Sequence, residues 1–488
     1  MPNLPATQTI RSPYDDRAVG EMPVAGAAEV EAAVAAAVRG FEVMRRLPRF
    51  ARADILARAS VLLRERAEEF ARLISAEAGK PLFDARGEVA RSVFNLANAA
   101  AEARSFAGHE IPLDMDAGIF EYQTTGANGE RLRLADADAE KLHAASRRIG
   151  IARRFPIGPI LAIAPFNFPL NLVLHKVAPA LAVGNSVVLK PAPQTPLTSL
   201  LLAEILAEAG LPEGALGVVH CDVPLAEGMV KDDRFAMVTF TGSAKVGWHI
   251  KAIAGRKKVA LELGGNAAVL VCADADLDLA ATRCVRGGLV YGGQYCIGVQ
   301  RILIERPVYG AFVDKLMERV VACRVGDPGE DGIDVGPVIN QAAAQRIEGW
   351  INDAVAAGAG VLAGGTRERA VVQPTVLDRT APGMTIEDEE IFGPVLTVNP
   401  FDDFGAAVAR ANASKYGLQG GMFTNDLRRA FRAIEDWDVG GLMVNDVPIY
   451  RVDNMPFGGW KESGIGREGT RFAMDEMSDI KHLVINYN

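Results

Sequence analysis

Cysteine is scarce in this chain, with five among 488 residues. Cys221, Cys272, Cys284, Cys296 and Cys323 make an odd number, show no C-x-x-C spacing and sit in apolar surroundings. That pattern argues against a disulfide framework and against a zinc site, and no metal is expected. Reduced thiols fit a cytoplasmic protein. Basic residues are the minority charge, 52 Lys and Arg against 61 Asp and Glu, for a formal net charge of −9. A nucleic-acid binder needs a basic face to neutralise phosphates, so no such partner is expected. Long apolar runs are missing as well. The longest, Leu170 to Val183, is broken by Asn171, His175 and Lys176, too short and too polar to span a bilayer. Met1-Pro2-Asn3-Leu4-Pro5 has neither the basic nor the apolar part of a signal segment, and no membrane partner is expected.

What is present is the composition of an ordinary globular protein long enough for two to four domains. Val30, Val34, Val38 and Phe41 predict a helix over 28–46. Ile55, Leu56, Leu62, Leu63, Phe70 and Leu73 predict another over 50–77, and a third runs from Ala85 to about Ala107. This opening helical layer reads as structural, with turns at Leu47-Pro48 and Gly79-Lys80-Pro81. Residues 124–147 are polar and aperiodic, a surface insertion.

From Ile160 the pattern alternates. Short apolar strands at Ile160–Ile163, Ser186–Leu189, Leu216–Val219, Ala236–Phe240 and Val259–Leu261 are separated by helical stretches such as Pro196–Glu208. This predicts an α/β fold with a parallel, doubly wound sheet. A second alternating block runs from Ala267–Val271 to about residue 445. The tail, Ile480 to Asn486, reads as a terminal strand that pairs either with a partner subunit or with its own chain.

Three stretches carry chemistry. Cys296 lies in Gly292-Gly293-Gln294-Tyr295-Cys296-Ile297-Gly298, where two glycines allow close backbone approach. Glu262 follows an apolar strand and precedes Gly264-Gly265, at the junction of the two blocks, where a cleft forms. Asn167 stands between aromatics and prolines in Pro165-Phe166-Asn167-Phe168-Pro169, just after a strand. Each has a bland reading alone, since a free cysteine is usually a small buried hydrophobe. Their conjunction points to a nucleophile, a base and a fixed amide donor.

In order and spacing, these residues resemble the NAD(P)-dependent aldehyde dehydrogenase superfamily, from Ser12-Pro13-Tyr14-Asp15 to Pro456-Phe457-Gly458-Gly459. The resemblance implies two doubly wound Rossmann-like domains, one for cofactor and one catalytic, with a small β oligomerisation arm. It implies cofactor-domain parts at 1–123 and 151–261, an arm at 124–150, a catalytic domain at 262–445, and a return segment with an oligomerisation strand at 446–488. A homodimer or homotetramer is implied too. Cys296 is then the nucleophile that forms a thiohemiacetal and a thioester, Glu262 the general base that hydrolyses it, and Asn167 an oxyanion donor.

For the cofactor, the resemblance implies a dinucleotide turn at Gly242, Ser243 and Gly247, adenosine ribose contact from Lys190, nicotinamide ribose contact from Glu390, and Phe392 lining the nicotinamide. Pro193 stands where NAD-preferring relatives often carry a glutamate, so NAD and NADP both remain open. Phe168, Tyr295 and Ile297 neighbour the site in sequence without a fixed cation. An uncharged aromatic or aliphatic aldehyde is therefore expected. Arg451 offers the alternative of an anionic aldehyde, a semialdehyde or a phospho- or sulfo-aldehyde, unless it pairs with Asp453 or another acid. Glu262 argues against a CoA-acylating or glutamyl-phosphate-type reductase. Retention of Cys296 and Glu262 argues against a catalytically silent structural protein on the same scaffold.

Overall fold

The computed structural model describes residues 7–115, 133, 135, 138, 140 and 147–487. Two mainly parallel sheets form its body. The first has six strands, in spatial order Gly464–Ile465, Lys258–Glu262, Met237–Thr241, Ile160–Ile163, Val187–Lys190 and Leu216–Val218. All neighbours run parallel except Gly464–Ile465, which pairs antiparallel with Leu261 and Glu262. Chain order reverses at Ile160–Ile163, so the loops after Ile163 and Thr241 open on either side of a switch point, where such sheets bind ligands.

The second sheet has seven strands, in order Gly360–Ala363, Thr375–Asp378, Val395–Phe401, Val299–Glu305, Ala267–Val271, Gln419–Phe423 and Gly441–Val444. Only Gly360–Ala363 is antiparallel. Both sheets fit the expected α/β, Rossmann-like class. They meet in a particular way. Glu262 ends a strand of the first sheet, and Ala267 starts a strand of the second just beyond the Gly264-Gly265 break. Carboxyl ends of one sheet thus meet amino ends of the other.

The opening helices are Ala27–Met44, Arg49–Glu65, Ala67–Ala78 and Leu82–Ser105. The single helix expected over 50–77 is in fact two, because Arg66 leaves helical geometry at φ −99°, ψ 20°. Leu56, Leu63, Phe70, Ile74 and Leu96 are buried in one apolar cluster with helix Asn171–Val183, every residue of which is buried. Burial of this kind is what stabilises a surface layer, at roughly 1.5–3 kcal/mol per fully buried large side chain.

The terminal strand, Ser478–Asn486, pairs antiparallel along its full length with Arg148–Pro156 of the same chain. Of the two pairings open to it, the intramolecular one is made, and among the described residues it is an outer strand of the three-stranded sheet. The 124–147 insertion lies almost wholly outside the described residues. Among the described residues no helix is long and apolar enough to cross a membrane.

Glu77 ties the helical layer to the first sheet. Its carboxylate accepts the N–H groups of Leu197 (3.0 Å) and Thr198 (3.1 Å), and the Thr198 hydroxyl, at the start of helix Leu197–Glu208. Burial lifts this carboxyl to about 7 against the pull of those donors. Glu77→Ala leaves buried helix amides unpaired and should cost about 2 kcal/mol in urea denaturation followed by tryptophan fluorescence. A loss under roughly 0.5 kcal/mol would mean that water caps the helix equally well.

Candidate active site

Cys296 is reached through an unusual backbone. Tyr291, Gly292 and Gly293 follow one another in the left-handed region, at φ 49°, 58° and 70°. A tyrosine there is uncommon and needs support. Its hydroxyl donates to the Ala78 carbonyl (2.6 Å) and its N–H to Asp84 Oδ2 (3.3 Å), so the helical layer holds it. Close approach explains the neighbouring glycines: a Cβ on Gly293 would strike the Gly393 carbonyl, and one on Gly265 the Cys296 carbonyl.

Asn167 is buried, and its Nδ2 donates to the Gln294 carbonyl at 3.0 Å. The Asn167 loop and the cysteine loop are thereby joined. Glu262 is also buried, and among the described residues its Oε2 has no hydrogen-bond partner. The three residues singled out from sequence converge on the seam between the sheets.

Desolvation dominates the electrostatics. Burial first, then the carboxylates of Glu390, Glu262 and Glu468, push the Cys296 thiol up to about 12 against the opposing pull of Arg451. Burial and the charge on Glu468 raise Glu262 well above the usual carboxyl range. Glu468 goes the other way: although burial raises it, Lys176, His175 and Arg451 draw it below its ordinary value. The proton therefore rests on Glu262 and the charge on Glu468.

The residues proposed for a dinucleotide fit one. Gly242 has no room for a Cβ beside Phe240, and Gly247 none beside Leu263. Ser243 starts helix Ala244–Ile253 without a side-chain cap, so the first-turn amides stay available to a diphosphate. Lys190 ends its strand near Cys221, and burial lowers its pKa. Pro193 is exposed. Glu390 Oε1 accepts the Gly265 N–H (3.0 Å), and burial lifts its carboxyl to about 7. Phe392, at φ 50°, meets the edge of Phe166 at 5.8 Å between centroids.

On the other side, Phe168 and Tyr295 meet edge to face at 4.6 Å, and Ile297 is buried against Leu418 and Phe457. Behind this apolar wall lies charge. Arg91 donates to the Tyr295 hydroxyl (3.2 Å) and grips Asp453 through Nη2 (2.5 Å) and Nε (3.4 Å). Asp453 also accepts from His175 Nε2 (3.0 Å). Arg451 stacks 3.6 Å from the Phe457 ring and reaches Glu468 (3.3 Å) and His175 Nδ1 (3.3 Å), while its buried Nε has no partner among the described residues. Sequence neighbours of the site carry no cation, but spatial neighbours do. Arg451 pairs with Glu468; it is Arg91 and His175 that hold Asp453.

Residues 3–483 match the model of the aldehyde dehydrogenase family. The chain belongs to that family. It is 39% identical over 474 residues to a 3-sulfolactaldehyde dehydrogenase of Priestia aryabhattai, covering 97% of this chain and 94% of that one. Aldehyde dehydrogenase 21 from Physcomitrella patens, solved in complex with the reaction product succinate, superposes with a TM-score of 0.91 at 39% identity, covering 100% of this chain and 96% of that one. Glyceraldehyde-3-phosphate dehydrogenase GapN from Methanocaldococcus jannaschii, complexed with NADP, gives 0.89 at 34% identity and 98% coverage of both chains.

In this aldehyde dehydrogenase, sequence reasoning missed Phe166, Arg91 and Glu468 as site residues. It saw His175 and Lys176 only as interruptions of an apolar run, and Asp453 only as a partner for Arg451. The interruption was the usable signal: polar residues inside a fully buried helix need buried partners. Arg91 and Glu468 stand 204 and 172 positions from Tyr295 and Cys296 (295 − 91; 468 − 296), too far for any local pattern to join them.

The raised thiol makes a testable statement. In the cofactor-free protein, alkylation of Cys296 by iodoacetamide, with Cys296→Ala as the blank, should rise about tenfold per pH unit from roughly pH 7 to 10, tracking the thiolate fraction. A plateau by about pH 8 would show that the fold alone already holds a thiolate.

Proposed function

We propose that this enzyme oxidises an aldehyde bearing a short anionic tail to the carboxylic acid with NAD(P)+, Cys296 acting as nucleophile and Glu262 as base. The reading is carried by the meeting of three groups in one desolvated seam: a half-buried thiol, a carboxyl oxygen without a partner, and an amide anchored beside the cysteine backbone. The Cys296 sulfur adds to the aldehyde carbon. The resulting oxyanion lies between Asn167 Nδ2 and the Cys296 N–H, donors that stabilise charge as it develops. When bound, the oxidised nicotinamide supplies a hydride acceptor and a positive charge. The acyl group stays on sulfur as a thioester. Glu262, once deprotonated, takes a proton from water, which adds to the thioester and releases the acid.

Residues 262–445 form the catalytic unit in this reading, and 1–123 with 151–261 the cofactor unit, joined into a homodimer or homotetramer. Support for assembly comes from the exposed apolar side chains Ile480, Leu483, Val484 and Ile485 on the strand Ser478–Asn486. Five unpaired cysteines support a cytoplasmic setting. Exposed Pro193 puts no carboxylate against a 2′-phosphate, which favours acceptance of both cofactors.

The anionic tail is supported by Arg451, buried with an unpaired Nε, and by Arg91 on the Tyr295 hydroxyl. It agrees with a relative named for a sulfo-aldehyde and another holding succinate. The apolar contact of Phe168 with Tyr295 favours the second reading, an uncharged aromatic or aliphatic aldehyde.

Glu262→Gln should leave a burst of about one reduced cofactor per site followed by slow turnover, because only thioester hydrolysis needs the base. In the unmodified enzyme, steady-state turnover should fall with decreasing pH sooner than an unprotonated carboxylate would predict, since Glu262 titrates high. Equal loss of burst and turnover in the variant would place Glu262 before acylation. For the substrate, kcat/KM for succinate semialdehyde should exceed that for hexanal and benzaldehyde by roughly tenfold or more. One charge-assisted hydrogen bond contributes about 1.5–3 kcal/mol. Arg451→Met should erase the advantage. The reverse ranking would establish the uncharged aldehyde instead.

A further inference from the structure

Lys80 and Glu88 form an ion pair with no solvent exposure on either side chain. A buried pair of this kind contributes little to stability against apolar replacements, so its presence asks for another role. Its contacts are specific. Glu88 Oε2 takes the ammonium, while Oε1 accepts the N–H groups of Leu170 (2.9 Å) and Asn171 (3.0 Å), where the Asn167 loop turns into helix Asn171–Val183. The Lys80 ammonium lies 3.5 Å from the centroid of the Phe168 ring and 4.7 Å from that of Tyr291. Phe168 adjoins Asn167. Tyr291 opens the left-handed run that delivers Cys296. One cation thus faces an aromatic ring from each loop, and its partner carboxylate holds the backbone of the first.

We propose that the buried Lys80–Glu88 pair is a positioning element that sets the spacing between the Asn167 amide and the Cys296 backbone N–H. This rests on the reading of those two groups as oxyanion donors. Neither Lys80 nor Glu88 has side-chain surface open to solvent. They act through Phe168, Tyr291 and the two helix amides. Without the pair, the loops keep the Asn167–Gln294 hydrogen bond and the Phe168–Tyr295 contact but lose the cation that links them from behind. A small displacement suffices, since donors about 1 Å out of place can cost on the order of a hundredfold in rate.

The test is the double variant Lys80→Met, Glu88→Gln, which leaves no unpaired charge and keeps an acceptor for both amides. The readout is the single-turnover rate of cofactor reduction per titratable Cys296, which excludes misfolded protein from the count. That rate should fall roughly 10- to 100-fold, while KM and the dissociation constant of NAD(P)H stay within about twofold. Glu88→Gln alone is read in the same way and should fall by a smaller factor. A burst rate within about threefold of the unmodified enzyme in either variant would overturn the positioning role and leave only a structural one. A parallel loss of cofactor affinity would overturn it too, by showing a wider disturbance. Failure of the unmodified enzyme to oxidise any aldehyde would instead remove the reading beneath the proposal, and both would fall.

Discussion

Charge buried away from water must be paired, and this condition organises the centre of the molecule. Helix Asn171–Val183 is wholly buried yet carries Asn171, His175 and Lys176. Their partners come from distant parts of the chain: Glu468 for Lys176, Asp453 for His175, with Arg451 and Arg91 closing the set. Each partner lies on a segment that lines the seam between the sheets. Removing one would leave another charge stranded, so these ion pairs bind the return segment 451–468 to the buried helix.

The same scarcity of water sets the chemistry. Cys296, Glu262 and Glu390 are all pushed toward their neutral forms, and burial is the leading cause for each. A site in this state is quiet. Burial disfavours both the Cys296 thiolate and the Glu262 carboxylate. Glu468 is held below the ordinary carboxyl range by Lys176, His175 and Arg451, against the opposing effect of burial. In such a medium each added charge acts strongly.

Backbone geometry and electrostatics are linked at the seam. Cys296 follows three left-handed residues, a conformation held by Ala78, Asp84 and the ring contacts of Tyr291. All of these supports lie in the opening helical layer, which local pattern marks as structural scaffolding. The layer is scaffolding, but of the active site.

Hydrophobic periodicity determined the architecture by itself. Ile160–Ile163 and Ala267–Val271 are strands with the bounds their apolar runs suggest, because a strand buried on both faces leaves an unbroken run with turn residues at its ends. Cys296 and Glu262 stood out for a related reason: the glycines beside them are demanded by close backbone approach. The break at Arg66 was not legible, since apolar spacing continues across it. Nor were Arg91, His175, Asp453 and Glu468 as members of one site. Their pairing depends on which segments the sheets bring together, and desolvation, which decides the charge on every one of them, is a property of the closed fold and of no stretch of sequence.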